Sequence, residues 1–314
     1  MRRFILGLLS LLFLFGCNDS KVKSTNDTIT VSIIPQKYIL EQIAGDRYQI
    51  NVLVPDGSGP ETYEPTARQM QEMSKSKACI ITGLLDFEKA WLTKISDQYP
   101  DLQIVNTSVG VELIEGHADH EGTEADAGDA EHEEHDGELN HANAEHHHHA
   151  GGVDPHIWLS LKAIKVQSAT ILDFLVKMDP ENKSVYSDNQ LKFVRRLDSL
   201  DKIIAEKFNA LEKPVAFMIY HPSLSYFAKD YGLLQISIEL EGKEPSPAYL
   251  KELIDQAKTM KSTTIFYSEQ FDKRSAETIA KQLEISLTPF NPLAENVEEN
   301  LLSITGNIIN SSVK

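Results

Sequence analysis

Residues 115–152 carry nine of the chain's eleven histidines, twelve Asp or Glu, and no Lys or Arg. The histidines are His117, His120, His132, His135, His141 and the run His146, His147, His148 and His149. Imidazole and carboxylate at this density are ligands for divalent transition metals, zinc first. A solubilising acidic loop would explain the carboxylates but not the imidazoles among them. The segment has almost no apolar side chain large enough to pack, so it cannot offset its own ordering entropy and reads as a disordered loop. Nothing preorganises its ligands, so each loop site is expected to be weak.

Two histidines lie outside the insert, His156 and His221. His221 directly follows the apolar run Val215-Ala216-Phe217-Met218-Ile219-Tyr220. That is the carboxyl end of an expected strand, where open α/β sheets bind ligands. His156 follows the insert and precedes a helical segment. Each histidine alone is more often a structural hydrogen-bonder than a ligand; one from each half of the chain, beside a common cleft, would make a ligand pair. Other chemistries find less support. The two cysteines cannot build a thiolate site if Cys17 is modified, because Cys79 sits in the apolar run Ala78-Cys79-Ile80-Ile81. Gly57-Ser58-Gly59 lacks the Gly-Lys-Ser/Thr of a phosphate loop. A zinc hydrolase would need a general base beside its metal, and no HExxH helix pair is present.

The elements that would position these groups alternate strand and helix. Thr28–Ile34, Ile50–Val54, Ala78–Thr82 and Leu102–Val105 read as strands, with helical patterns between them. After the insert, Ser160–Met178 is helical. Glu181–Leu211 repeats Val185, Val194, Leu197, Leu200, Ile204, Phe208 and Leu211 at helical intervals, long enough to bridge two lobes. The alternation then restarts. Ser246-Pro247 caps one helix and Asp272 caps the next. The expected fold is α/β: two similar lobes, each a mostly parallel sheet flanked by helices, joined by a long rigid helix. The lobes are assigned to residues 28–180 and 212–314, with 181–211 as the connecting helix.

The chain has 314 residues and a formal net charge of −17, of which the insert supplies −12 and the rest −5. No basic stripe points to nucleic acid. Arg2 and Arg3 precede an apolar run, Phe4–Gly16, too short to span a bilayer. Leu14-Phe15-Gly16-Cys17 resembles the bacterial lipoprotein cleavage box. Residues 1–17 then form a signal ending at a lipidated Cys17, and 18–27 a polar tether. The alternative is an ordinary secretory signal with an incidental cysteine. Either reading places the chain outside the cytoplasm, in the cell envelope.

Asp154-Pro155-His156-Ile157-Trp158-Leu159-Ser160 resembles the DPHxWLS signature of the zinc/manganese solute-binding proteins of bacterial ABC transporters. Pro55–Pro65 resembles that family's first-ligand loop, and Tyr220-His221-Pro222-Ser223 its second-lobe histidine segment. Similar segments continue at Glu241–Ser246 and Phe266–Phe271. The resemblance implies two α/β lobes with a metal buried between them, held by three histidines and an acid or water. It carries over at His156 and His221. It departs where Glu61 stands for the first histidine and Asn291 for the last-loop Asp. Glu61 remains a competent zinc ligand. The fourth position stays open among Glu269, Asn291, a water and a loop histidine; a second carboxylate would neutralise the charge and favours Glu269. The resemblance further implies a monomeric, lipid-anchored protein that captures Zn²⁺ and hands it to an ABC permease with its ATPase. The rivals are a Mn²⁺ or Fe²⁺ binder of the same class, an adhesin or metal buffer, and, last, the zinc hydrolase.

Overall fold

β-Branched runs set the first sheet. The computed structural model describes residues 27–115, 152–212, 214–239, 245–262, 264–268 and 273–312. Strands β1 (Thr28–Val31), β2 (Gln49–Val52), β3 (Ala78–Ile81) and β4 (Gln103–Asn106) are all parallel, in the order β2-β1-β3-β4. The second sheet repeats the pattern. Strands β5 (Ala216–Ile219), β6 (Leu234–Ser237), β7 (Thr264–Tyr267) and β8 (Ser286–Pro289) lie in the order β6-β5-β7-β8, again all parallel. Parallel strands need crossovers, and the helices supply them. These are α1 (Ile34–Ala44), α2 (Ala67–Met73) and α3 (Asp86–Gln98) in the first lobe. Between the lobes run α4 (Leu161–Met178) and α5 (Lys183–Asn209). The second lobe adds α6 (Ser225–Tyr231), α7 (Pro247–Thr259), α8 (Arg274–Leu283) and α9 (Val297–Ser312).

Several element ends are where local chemistry requires them. β1 stops at Val31, three residues short of the expected Ile34, because Pro35 in the first turn of α1 pulls the chain into a helix. Ser160 caps α4 by accepting from the Ala163 amide at 3.1 Å, a cap that contributes about 1 kcal/mol. Ser246 caps α7 through the Tyr249 amide at 3.2 Å, with Pro247 in the first turn as expected. Gly232 closes α6 at φ 64°, a backbone state that a side chain would strain. Asp272 lies outside the described residues; Lys273 precedes the first turn of α8.

The bridging helix is shorter than Glu181–Leu211. Pro180–Asn182 forms a separate 3₁₀ turn, and α5 has 27 residues, about 40 Å at the usual rise. Its buried stripe is Tyr186, Phe193, Leu197, Leu200, Ile204 and Phe208. Val185, expected on that stripe, is 40% exposed. The aromatic rings of Tyr186 and Phe193 take the inward positions of the first turns, and Val185 falls one residue to the side. α5 packs on α1, α4, α6 and α9.

The core follows that helix across the molecule. One apolar cluster runs from Ile29, Val31 and Ile80 through α4 and α5 to Phe217, Ile219, Phe266 and Leu301. A second, smaller cluster of Met218, Tyr220, Ile236, Ile265 and Ile279 lies behind the second sheet. The period of two along β5 sends Phe217 and Ile219 to the joint and Met218 to the outer face. The lobes therefore meet through continuous apolar packing. Cys79 is a buried free thiol in β3, held protonated by burial. None of the described helices is long and apolar enough to cross a membrane.

Candidate metal centre

The carboxyl ends of the strands carry the site. Past β2, Leu53 and Val54 still donate to Val31 and Ser32 of the neighbouring strand, at 3.0 and 2.9 Å. The chain then turns at Asp56, whose carboxylate accepts the Gly57 amide at 3.0 Å. Gly57 has φ 78°. The far end of this loop is tied back by Gln69, which donates to the Leu53 carbonyl at 2.7 Å and accepts from Tyr63 at 3.0 Å. Between these anchors Glu61 points inward, its side chain 15% exposed.

His156 is set by the turn it sits in. Glu115 and Val153 form an antiparallel bridge that brings the two ends of the insert together. The Asp154 amide donates to Ile114 at 3.0 Å, and Tyr226 donates to the Asp154 carbonyl at 2.8 Å. Asp154 Oδ1 then accepts both the His156 amide and His156 Nδ1, each at 2.9 Å. Below the ring lies Trp158, fully buried, with its ring centroid 5.1 Å from that of His156. Trp158 Nε1 donates to the Pro292 carbonyl of the other lobe at 2.8 Å.

His221 leaves the end of β5. Its Nδ1 faces Glu239 Oε1 at 3.4 Å, and its Nε2 lies 3.0 Å from Glu61 Oε2. His156 Nε2 is 3.5 Å from Glu61 Oε1. The two imidazole centroids are 5.3 Å apart, with the rings inclined at 68°. Donor atoms of Glu61, His156 and His221 all fall within 4.8 Å of one another. Ligands about 2.1 Å from one tetrahedral ion sit about 3.4 Å apart, close to the 3.0 and 3.5 Å that separate Glu61 from the two imidazoles.

The charges are arranged for a cation. Burial alone would lower the His221 pKa, but the Glu61 charge, together with Glu239, raises it to about 10. At neutral pH the imidazolium proton therefore occupies the place a metal would take. Burial pushes the Asp154 carboxyl up, but the His156 charge and the hydrogen bonds from His156 and Ser225 outweigh it and hold the pKa low.

Of the other expected ligands, Asn291 alone lies among the described residues. Asn291 Oδ1 accepts the Leu293 amide at 2.8 Å, and its Nδ2 donates to Asp56 at 3.1 Å. Its side chain thus ties the two lobes' loops. Glu269, the nine loop histidines and Cys17 lie outside the described residues. Two acids beside the site went unassigned at the sequence level, Asp154 and Glu239. Asp154 was visible inside the DPH motif. Glu239 needed the β5–β6 register, which places it beside His221 although 18 positions separate them.

A family model described as "Zinc-uptake complex component A periplasmic" matches residues 29–309. The zinc-binding lipoprotein AdcA of Streptococcus pneumoniae (strain R6) is 28% identical over 94% of this chain. This chain spans only 56% of that relative's length. The iron ABC transporter substrate-binding lipoprotein MtsA of Streptococcus pyogenes serotype M1 is 28% identical, covering 90% of this chain and 86% of its own. Among solved structures, a crystal structure of ZnuA is 34% identical with a TM-score of 0.76, covering 91% of this chain and 99% of that one.

Proposed function

Because this chain belongs to the family of periplasmic zinc-uptake component A proteins, we propose that it is an extracytoplasmic binding protein that captures Zn²⁺ and delivers it to an ABC permease and its ATPase. The observation that carries this reading is the convergence of Glu61, His156 and His221, from three distant segments and both lobes, within 4.8 Å. Two imidazoles and a carboxylate suit zinc, with a fourth position left for a water or a mobile ligand. Capture and release need ligand exchange and lobe adjustment but no chemical step. Cys17 is the proposed lipid anchor, and the protein acts as a monomer. The insert, whose ends pair beside the Asp154 turn, is assigned the collection of Zn²⁺ near the cleft at low affinity per site.

One observation favours a second reading. Glu61 replaces an imidazole with a harder oxygen donor, and two histidines with one carboxylate also suit Mn²⁺ or Fe²⁺. The histidine-rich insert favours zinc.

The test is the pH dependence of binding. The metal needs a neutral His221, whose pKa in the metal-free protein is raised to about 10. Below that pH each zinc bound at the site must displace this proton. Affinity is expected to fall by up to about tenfold per pH unit on going from pH 8.5 to 6.5. Competition against a chromophoric zinc chelator reads this directly. Affinity that stays flat across the range would contradict the imidazole ligands. The stability of the metal-free protein has the opposite sign. A raised pKa stabilises the fold fully below the unfolded value of 6.5, and that contribution is lost as pH rises toward 10.

A further inference from the structure

The two metal-facing imidazoles are backed differently. His156 has Asp154 two residues away, in its own turn. His221 has no local acid and relies on the next strand. In β5 and β6, Ile219 pairs with Ser237, and the ladder continues one step beyond both strands. Ile238 donates to the Ile219 carbonyl at 2.8 Å, and Glu239 donates to the Tyr220 carbonyl at 2.9 Å. The register therefore sets Glu239 beside His221, on its Nδ1 side. Glu239 is 8% exposed, and its Oε1 lies 3.4 Å from that nitrogen. Nδ1 and Nε2 point away from each other across the ring. A carboxylate on Nδ1 therefore lies away from an ion on Nε2.

We infer that Glu239 is the positioning residue for His221. It accepts the Nδ1 hydrogen, fixes the ring's tautomer and turns the Nε2 lone pair into the cleft toward Glu61. A metal-bound histidine held this way presents its lone pair without spending binding energy on ring orientation or tautomer choice. Each lobe thus supplies one imidazole and the carboxylate that aims it: Asp154 for the first, Glu239 for the second. This role rests on the proposed function, since it concerns how the same site holds its ion.

The test compares full-length wild type with Glu239→Leu and Glu239→Gln, using zinc as the probe. Glu239→Leu removes the acceptor and is expected to weaken zinc binding about 10- to 100-fold. Glu239→Gln keeps an amide oxygen that can accept from Nδ1, and is expected to stay within about fivefold of wild type. A nitrogen-detected NMR spectrum of the zinc-loaded proteins adds a readout that a merely structural role would not move. The His221 Nδ1–H signal should be protected from exchange in wild type and Glu239→Gln, and lost in Glu239→Leu. Equal losses in both variants, wild-type affinity in Glu239→Leu, or a protected Nδ1–H in that variant would each overturn the assignment. The wild-type titration separates the two claims. A wild type that takes up no zinc contradicts the proposed function and this role with it. A wild type that binds while Glu239→Leu binds equally contradicts this role alone.

Discussion

His221→Ala is expected to lower zinc affinity by two to three orders of magnitude. Zinc held by a full set of protein ligands is bound with about 10–16 kcal/mol. One ligand of four then accounts for about 2.5–4 kcal/mol, which is the stated loss at about 1.4 kcal/mol per decade. Water can occupy the position left by the imidazole and return part of the energy, which moves the expected loss toward the lower end of the range. The substitution also leaves Glu61 and Glu239 without the imidazolium that links them, since His221 Nε2 lies 3.0 Å from Glu61 and Nδ1 3.4 Å from Glu239. Because the His221 side chain is 15% exposed, solvent can reach the gap and the fold should survive. Equilibrium competition with a chelator measures the loss, and circular dichroism checks the fold. A folded His221→Ala protein that keeps wild-type affinity for its tightest ion would place the binding elsewhere, in the insert first.

Trp158→Ala should be the most destabilising single change near the site. The side chain is fully buried, and replacing a buried Trp by Ala costs about 3–5 kcal/mol. In a protein of this size each kcal/mol lowers the melting temperature by about 2–4 °C, so a fall of roughly 6–20 °C is expected. The change also orphans the Pro292 carbonyl, which accepts from Trp158 Nε1 at 2.8 Å. That bond joins the His156 turn of one lobe to the 291–293 loop of the other. The variant should therefore lose zinc affinity as well as stability, because the ring lies directly against the His156 imidazole. Trp158→Phe keeps the apolar ring but removes the donor, and should show a smaller fall in melting temperature. Calorimetry of the metal-free proteins reads the first effect. A Trp158→Ala variant melting within about 2 °C of wild type would contradict the packing role.

The alternation of β-branched runs with helical patterns made both lobes legible, because parallel sheets read as near-continuous apolar stretches. One cap was legible too. Ser246 sits where a short polar side chain can satisfy a free helical amide, and it does, whereas Ser160, read as the first helical residue, is the cap of α4. Boundaries were less so. The separate 3₁₀ turn at Pro180–Asn182 packs on α4 and α5, contacts that no periodicity records, while Tyr186 rather than Val185 keeps helical register with Phe193, Leu197 and Leu200. Of the site, His156 and His221 stood out as the two histidines outside the insert, and Glu61 came only from the resemblance of Pro55–Pro65 to the family's first-ligand loop. Glu239 did not stand out, because its meaning lies in strand register rather than in any local motif. Asn291 sits in the expected loop, but Asp56 and the Leu293 amide occupy its side chain.

The most direct test is a crystal of the full-length protein, purified without added metal and measured at the zinc absorption edge. One strong anomalous peak is expected between the lobes, about 2.0–2.2 Å from Nε2 of His156, Nε2 of His221 and an oxygen of Glu61. A peak bound only by histidines of residues 115–152, or a zinc more than about 3 Å from all three of those atoms, would contradict the account.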